Sequence, residues 1–406
     1  MTETVSSEKA GHAARAPLTE SRGAPGKGDR VLAIDAVRAI ALFGVLVMNL
    51  RDISGLTLLG PYERVSLQTP VDALVEALLE ILVDWKSLSA FSLLFGISFT
   101  LIIESCRRRD IPTVPFYLRR LFVLFLFGIL NIAVFFWGDI LVTYAVLGLV
   151  LLPASFFSQR IVLAVAGGLI ICTPLILAMF GEVRGALASP LSDFATLFGF
   201  SQSSFWATIG VNIDRYLNAA GASTAVGIWR YATITGLFLL GLWVGRAGIA
   251  GNVTAHRPLL ARIAGIALPI GLSLSTVEFF VPSTSPWSMA LLVGTPILAI
   301  GYVAVGALFL TSGWGEGLRA VMAPAGQMAL TLYLLGGFFG EAIFYGWGFG
   351  LLASVGDLAV LAITIGLYAG LVAASHAWLR RFRYGPFEWV WRSLTHLSVQ
   401  PLRHPA

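Results

Sequence analysis

The stretch VLAIDAVRAIALFGVLVMNL, residues 31–50, decides the fold class of this chain. It is long enough to cross the hydrocarbon layer of a membrane as one helix, and its only charged residues are Asp35 and Arg38. Similar runs recur along the 406 residues, of which 57% are hydrophobic and 12% charged. The composition excludes a disordered or fibrous protein. Because a soluble domain has about 25% charged residues, it also argues against a soluble multidomain enzyme. It predicts an all-α, polytopic transmembrane helical bundle.

The apolar runs predict about ten spans and both termini on the same side of the membrane. The spans are expected at about 31–50, 80–104, 117–136, 139–157, 161–180, 228–247, 262–281, 287–311, 322–344 and 352–377. If the termini are cytoplasmic, most of the 27 basic residues fall in cytoplasmic segments, as the positive-inside rule requires. We therefore expect a multi-pass protein of the bacterial cytoplasmic (cell) membrane with both termini inside.

The spans and the polar segments between them suggest five regions. These are a disordered cytoplasmic tail (1–29), an N-terminal five-span half (30–181), an extracytoplasmic linker (182–227), a C-terminal five-span half (228–378) and a cytoplasmic amphipathic tail (379–406). The linker region holds either a surface helix that caps an outward-facing cavity or a plain connection between the halves. Residues 71–83 read as an interfacial or re-entrant amphipathic helix.

Gly385 and Pro386 break the chain after the last span, so a new helix is predicted to begin at Pro386. Phe387, Val390 and Trp391 then share one face, as expected for an amphipathic interfacial helix on the inner leaflet of the bilayer. Its simplest role is that of a membrane anchor.

Other classes of site and partner are not expected. The net charge is +5, but the basic residues flank apolar spans, so topology explains them and no nucleic-acid partner is expected. Cys106 and Cys172 form neither a disulfide framework nor a metal site. No nucleotide-binding or hydrolase motif is present, so no tightly bound cofactor is expected. The 43 glycines allow close helix packing, including in a homo-oligomer.

Ionisable residues inside a span are costly unless they are paired or face water. Asp35 and Arg38 lie three residues apart, hence on one helical face near the predicted cytoplasmic end. They form either an internal ion pair or a binding element for an anion. Other polar residues of this half are Gln327, Thr331, Arg107–Arg109, Arg119 and Arg120. The basic residues could hold the phosphates of a nucleotide-like donor, although topology and anionic lipid explain them equally well.

A second set of polar residues is predicted near the outer ends of the spans. These residues are Asn49, Arg51, Asp52, Lys86, Asn131, Asp139, Thr143, Tyr144, Glu278 and Glu341. They line an outward-facing polar cavity in one interpretation and extend to water at the span ends in the other. The second interpretation explains Arg51 and Glu341 well, but Asn131 less well.

Five segments resemble the YeiB-like family of bacterial membrane proteins, a domain of unknown function. They are Ile34–Gly44 with Asn49, Lys86 with Phe91–Gly96, Arg119–Arg120 with Gly138–Leu141 and Tyr144, Gly326–Tyr333, and Phe382–Arg392. That family is similar to a superfamily of transmembrane acyltransferases, which includes the lysosomal heparan glucosaminide acetyltransferase. The resemblance implies transfer of an acyl group from cytosolic acyl-CoA, as co-substrate, to a hydroxyl or amine of a small-molecule, lipid or glycan acceptor outside or within the membrane.

The resemblance carries over onto Asp35, Arg38, Asn49, Lys86, Asp139 and Tyr144. With their neighbours, they give three expected groups: catalytic residues (Asn131, Asp139, Tyr144, Lys86), donor-binding residues (Asp35, Arg38, Gln327, Arg119, Arg120) and an acceptor cavity (Asn49, Glu278, Tyr333).

Three departures from the family pattern leave the activity open. One is Thr331-Leu332-Tyr333, where relatives carry Thr-Asn-Tyr. Relatives usually carry histidine where this chain has Asn131, and asparagine cannot accept a proton near neutral pH. They also carry Gly-Arg-Met where this chain has Gln327. The alternatives are a transporter or resistance permease for a small, partly apolar compound, and a non-catalytic membrane partner.

Overall fold

The computed structural model describes residues 27–183, 193–202, 204–221 and 224–404, and these ranges contain helices and no β-strand. The helices are α1 Lys27–Ile53, α2 Pro61–Leu67, α3 Pro70–Leu82, α4 Lys86–Arg108, α5 Thr113–Val134, α6 Leu141–Gly148, α7 Leu151–Ala154, α8 Gln159–Gly167, α9 Thr173–Met179, α10 Phe194–Phe200, α11 Phe205–Gly221, α12 Thr224–Arg246, α13 Arg257–Phe280, α14 Pro286–Leu291, α15 Gly294–Leu310, α16 Glu316–Gln327, α17 Ala329–Phe344, α18 Asp357–Leu379 and α19 Pro386–His396. The all-α prediction is confirmed. The predicted disordered tail lies outside these ranges, except for residues 27–29 at the start of α1.

Eight helical segments in the described ranges are long and apolar enough to cross a membrane. They are Leu32–Ile53, Pro70–Arg108, Thr113–Val134, Gln159–Met179, Ala225–Arg246, Arg257–Phe280, Pro286–Leu310 and Asp357–Leu379. A ninth span is obtained if α16 and α17, which meet at an angle of 78°, count as one broken span. The chain is therefore a polytopic membrane protein.

The predicted span at 139–157 consists of two short helices, α6 and α7, separated by Leu149 and Val150. Pro153 accounts for the break, because its ring clashes with the carbonyl four residues earlier and it lacks an N–H. The segment still runs back along α5. Asp139 lies beside Asn131 near the end of α5. The carbonyl of Gly148 accepts a hydrogen bond from the hydroxyl of Tyr117, near the beginning of α5 (3.1 Å).

Two ends of the bundle can be defined from these contacts. The basic end holds the end of α4, the beginning of α5 and α19, and brings together Arg109, Arg120 and Arg392. The far end holds the end of α1, the beginning of α4 and the turn after α5, where Asp52, Asp84 and Asp139 surround one cavity.

The predicted amphipathic helix before the second span is α3, which begins with a reciprocal hydrogen-bonded cap between Thr69 and Asp72. Its polar face contacts protein rather than water. Glu76 binds Arg51 and Arg64, and Arg51 also binds Asp357 at the start of α18 (2.7 Å). Ion pairs thus hold α2 and α3 against the far ends of α1 and α18.

Candidate functional site: two cavities that meet at a buried polar cluster

A cavity of about 380 Å³ extends from the basic end into the bundle between α1, α4, α5, α17 and α19. Its charged lining consists of Asp35, Arg38, Arg120, Glu388 and Arg392, and its aromatic lining of Phe91, Phe95, Phe99, Tyr117, Tyr144, Tyr333, Tyr384 and Trp391. The lining also includes Gln327, which is exposed. The basic-end cavity thus combines charged groups with a mainly apolar interior.

Arg38 fixes the position of the charges on α1. Its guanidinium donates to the Asp35 carboxylate at 2.7 Å, to the Ser98 hydroxyl of α4 at 3.1 Å and to the Gly326 carbonyl of α16 at 3.4 Å. The predicted ion pair is therefore present. Because 23% of the Arg38 side chain stays exposed, it can also meet a ligand in the cavity.

Helix α19 closes one wall of the basic-end cavity. The Glu388 carboxylate accepts the backbone N–H (2.9 Å) and the hydroxyl (2.5 Å) of Thr331 in the first turn of α17. The Trp391 indole donates to the Arg120 carbonyl at 3.0 Å, and the Arg120 guanidinium lies 3.8 Å from the centre of that ring. The Phe387 ring packs edge-on against Phe127 of α5. The helix forms at the predicted position, but its apolar face contacts protein.

Sequence reasoning did not include Glu388, Trp391 or Arg392 in the donor site. The i,i+4 spacing of Glu388 and Arg392 shows that the two share a helical face. No local signal, however, reveals that this face turns toward the bundle.

Replacing Glu388 is expected to destabilise the protein. In Glu388→Ala the first-turn N–H of Thr331 loses its acceptor, and an unsatisfied buried donor costs about 1–3 kcal/mol. Glu388→Gln keeps one acceptor oxygen and should lose less. Thermal unfolding in detergent tests this order, with the exposed Glu104→Ala as a control for removal of a carboxylate at the same end. Equal melting temperatures for Glu388→Ala and wild type would contradict the assignment of the cap.

A second cavity, of about 540 Å³, lies at the far end. Its polar lining includes Asn49, Asp52, Asp84, Asp139 and Arg230, and its aromatic lining Trp85, Phe136, Trp137, Tyr216 and Tyr231. Tyr216 comes from α11, within the segment predicted as a linker or a capping helix. Val45 and Ile140 line both cavities, so the two spaces approach each other from opposite ends and share a thin wall.

A buried polar cluster lies beside this wall. The Asn131 amide donates to Asp139 (3.0 Å) and to the carbonyl of Phe136 (3.2 Å), and it lies 3.5 Å from the Tyr333 hydroxyl. Asp139 also accepts the backbone N–H of Val142 at 2.6 Å. Asp139 lines the far-end cavity and Tyr333 the basic-end cavity, so the cluster connects the two.

Asp139 lies in the turn between α5 and α6, outside the spanning helices. Burial raises the pKa of its carboxyl to about 6, against the hydrogen bonds from backbone N–H groups and Asn131. A carboxylate with a pKa near 6 is largely ionised at neutral pH and is a better proton acceptor than an ordinary aspartate. The position and the pKa of Asp139 therefore suit a general base.

The structure separates some of the residues that were grouped by sequence. Tyr144 lines the basic-end cavity, and its hydroxyl forms a hydrogen bond with Ser92 (2.7 Å). Lys86 donates to the Glu80 carbonyl at 2.7 Å, because the turn before α4 folds back over it. Lys86 and Glu278 line a separate space of about 30 Å³ and do not line the far-end cavity. Arg119 lines neither large cavity, because it lies beside Arg120 on a different face of α5.

Tyr333, predicted in the acceptor cavity, lines the basic-end cavity instead. Asn49 does line the far-end cavity, as predicted. Asp84, Trp85, Trp137 and Arg230 also line the far-end cavity and were missed. For Asp84, Trp85 and Arg230, only the packing of α12 against α4 shows that their segments converge.

No group of three or more His, Cys, Asp or Glu residues within the described ranges is arranged to hold a metal ion. The two cysteines, Cys106 and Cys172, are unpaired.

Comparison with known proteins finds relatives that are described as uncharacterised. Residues 244–398 match the family model "Protein of unknown function (DUF418)". The chain is 30% identical over 391 residues to the uncharacterised protein YxaH of Bacillus subtilis, covering 92% of this chain and 96% of the relative. It is 27% identical over 395 residues to the uncharacterised protein YeiB of Escherichia coli, covering 92% and 98%. No solved structure matches it.

Proposed function

The chain belongs to the YeiB-like DUF418 family, and from that premise we propose that it is a transmembrane acyltransferase. In this proposal it moves an acyl group from cytosolic acyl-CoA to a hydroxyl or amine of an acceptor on the other side of, or within, the membrane. The observation that carries the proposal is the pair of cavities that approach each other from opposite ends. Asp139 lines one cavity and Tyr333 the other, and Asn131 lies between these two side chains.

The positive-inside rule favours the basic end as the cytoplasmic side. Acyl-CoA then enters the basic-end cavity, where Arg38, Arg120 and Arg392 suit its phosphates. The aromatic and aliphatic lining beyond them suits the rest of the donor. The acceptor enters the far-end cavity and reaches Asp139. Both termini are inside, and the protein lies in the bacterial cytoplasmic membrane.

At the junction, the acceptor O–H or N–H attacks the thioester carbonyl carbon while its proton passes to the Asp139 carboxylate. The carbon–sulfur bond breaks, CoA leaves as a thiol after taking up a proton, and the acyl group ends on the acceptor oxygen or nitrogen. The Tyr333 hydroxyl is placed to donate to the carbonyl oxygen as negative charge develops there. Asn131 orients Asp139. Val45 and Ile140, which lie in both linings, must move aside for the reactants to meet.

Arg38→Ala is expected to weaken binding of acetyl-CoA by about tenfold or more, because a charge-assisted contact is lost in a partly desolvated site. Calorimetry on the detergent-purified protein measures the change. Arg108→Ala is the matched control, since Arg108 is an exposed arginine at the basic end that lines neither cavity. Absence of acetyl-CoA binding to folded wild type would rule out the donor assignment. An equal loss of binding in both variants would show that net charge, and not a specific contact of Arg38, determines the affinity.

Two cavities separated by a thin wall also suit a transporter that opens to one side at a time. The broken span α16–α17, bent by 78° next to the basic-end cavity, favours this second candidate. Its cargo would be a small, partly apolar compound. A third candidate, a non-catalytic membrane partner, rests on asparagine at position 131.

A further inference from the structure

A small pocket of about 110 Å³ lies at the basic end beside the large cavity, between the end of α4, the beginning of α5 and the end of α19. Its charged and titratable side chains are Arg109, Arg120, Arg392 and His396, and its other polar side chains are Ser105, Cys106 and Thr395. No carboxylate belongs to this lining. The pocket is large enough for a tetrahedral oxyanion, since a water molecule takes about 30 Å³.

The positive charge of this pocket is not balanced by neighbouring acids. Elsewhere in the described chain, Arg38 is paired with Asp35, and Arg108 with Glu104. Arg109, Arg120 and Arg392 have no ion-pair partner among the described residues. One buried nitrogen of Arg392, Nε, also has no hydrogen-bond acceptor within those ranges. Arginines left unpaired around a cavity are available to an anionic ligand.

The pKa of His396 also responds to the positive charge around this pocket. Burial lowers the pKa of its imidazole, and the charges of Arg392, Arg109, Arg119 and Arg120 lower it further. Its ring packs edge-on against Phe116, with centroids 5.0 Å apart, so it faces the pocket from a fixed position. Removing the positive field with a bound anion would reverse the electrostatic part of this effect.

The pocket is also built from elements that the rest of the site holds in place. Arg392 lies on α19, which Glu388 ties to Thr331 and Trp391 ties to Arg120. The pocket shares Ile102, Arg120 and Arg392 with the large cavity, so one ligand can occupy both. Planar guanidinium groups from three elements then surround one position, which suits the several oxygens of a phosphate.

We propose that this pocket is a phosphate-binding site, filled by a phosphate group of a soluble nucleotide or of an anionic lipid, with the remainder of the same molecule in the basic-end cavity. The nucleotide version rests on the proposed function and assigns the pocket to the phosphorylated end of the acyl donor. The lipid version does not depend on acyl transfer.

The first experiment compares two neighbouring exposed arginines. Binding of adenosine 3′,5′-bisphosphate to the full-length protein in detergent is measured by calorimetry. Arg109→Ala, at the pocket, should weaken binding by about tenfold. Arg108→Ala, the paired neighbour outside it, should change binding by less than about threefold after removing the same charge. Wild-type binding that is lost equally in both variants would overturn the pocket assignment.

A separate experiment tests whether the phosphate group belongs to an anionic lipid. Native mass spectrometry counts phosphatidic acid retained by wild type and by Arg109→Ala, with phosphatidylcholine as the reference lipid. Retention of phosphatidic acid that Arg109→Ala lowers, without binding of the bisphosphate, supports the site with a lipid source. If the folded protein binds neither the bisphosphate nor phosphatidic acid, the proposal is overturned.

A second measurement does not depend on removing any side chain. Carbon-13-labelled histidine is titrated by NMR with and without the bisphosphate, and His396→Gln identifies the signal. The pKa of His396 should rise when the phosphate binds. Binding of the bisphosphate without a change in the pKa of His396 would place the bisphosphate elsewhere.

The pocket and the proposed function can fail separately. If the site binds phosphate but acetyl-CoA supports no transfer, the pocket stands and the proposed function fails. If transfer occurs at an unchanged rate in Arg109→Ala without bisphosphate binding, the function stands and the pocket fails.

Discussion

Asp139→Asn is expected to lower the rate of acyl transfer by about 10²–10⁴-fold, the usual contribution of a general base. Asparagine keeps the size of the side chain and can still accept the N–H of Val142, but it cannot take a proton from the acceptor. Binding of acetyl-CoA should stay within about twofold, because Asp139 lines the far-end cavity. The readout is transfer of a radiolabelled acetyl group to surface material of cells or vesicles that contain the protein.

The pH profile provides a sharper readout than the rate alone. With the pKa of Asp139 raised to about 6, the carboxylate is the main form above pH 6 and the neutral acid below it. The wild-type kcat/KM should therefore level off above about pH 6 and fall about tenfold for each pH unit below it. Asp139→Asn should lack this fall in kcat/KM below pH 6. The exposed Asp214→Asn at the far end is the matched control and should keep it.

The same variant separates the proposed function from its alternatives. If Asp139→Asn abolishes export of a compound in cells while Asn131→His changes nothing, the transporter gains support. If Asn131→His raises acyl transfer, the chain is an enzyme weakened by the asparagine. An unchanged rate in Asp139→Asn, with normal folding, would show that Asp139 is not the base.

The membrane fold could be predicted because apolar runs and the burial of a helix in lipid follow directly from sequence. Span α1 and the Asp35–Arg38 pair were found in this way, since i,i+3 spacing fixes their relative position. The break between α6 and α7 was not predicted, because the residues around Pro153 are as apolar as those of a true span. Hydropathy measures composition and does not register a missing hydrogen bond.

The site was only partly predictable. Asn131 and Asp139 flank one short turn, so their contact follows from local sequence. Tyr333 and Glu388 reach the site through the broken span and the tail helix. Their positions depend on contacts between segments far apart in the chain, which periodicity cannot specify.

Gly326→Ala is expected to destabilise the fold strongly. A Cβ at this position of α16 would overlap the backbone carbonyl of Asp35 on α1, and backbone atoms cannot move aside as a flexible side chain can. The two helices must separate, which places the cost near or above the upper end of the usual 1–3 kcal/mol for overpacking. The same shift displaces the Gly326 carbonyl from Arg38, so binding of acetyl-CoA should also weaken.

Gly366→Ala is the matched control, because a Cβ there meets no atom within 4 Å on the exposed side of α18. It should be neutral or stabilise the helix by about 0.5–1 kcal/mol through the higher helix propensity of alanine. Thermal unfolding in detergent compares the two substitutions, and fluorescence-detected size exclusion verifies that each variant is folded before heating. Equal melting temperatures would show that α1 and α16 do not approach closely at Gly326. A lower melting temperature in Gly326→Ala alone would establish the close contact between these helices. Weaker binding of acetyl-CoA by the same variant would show that this contact holds Asp35 and Arg38 at the basic-end cavity.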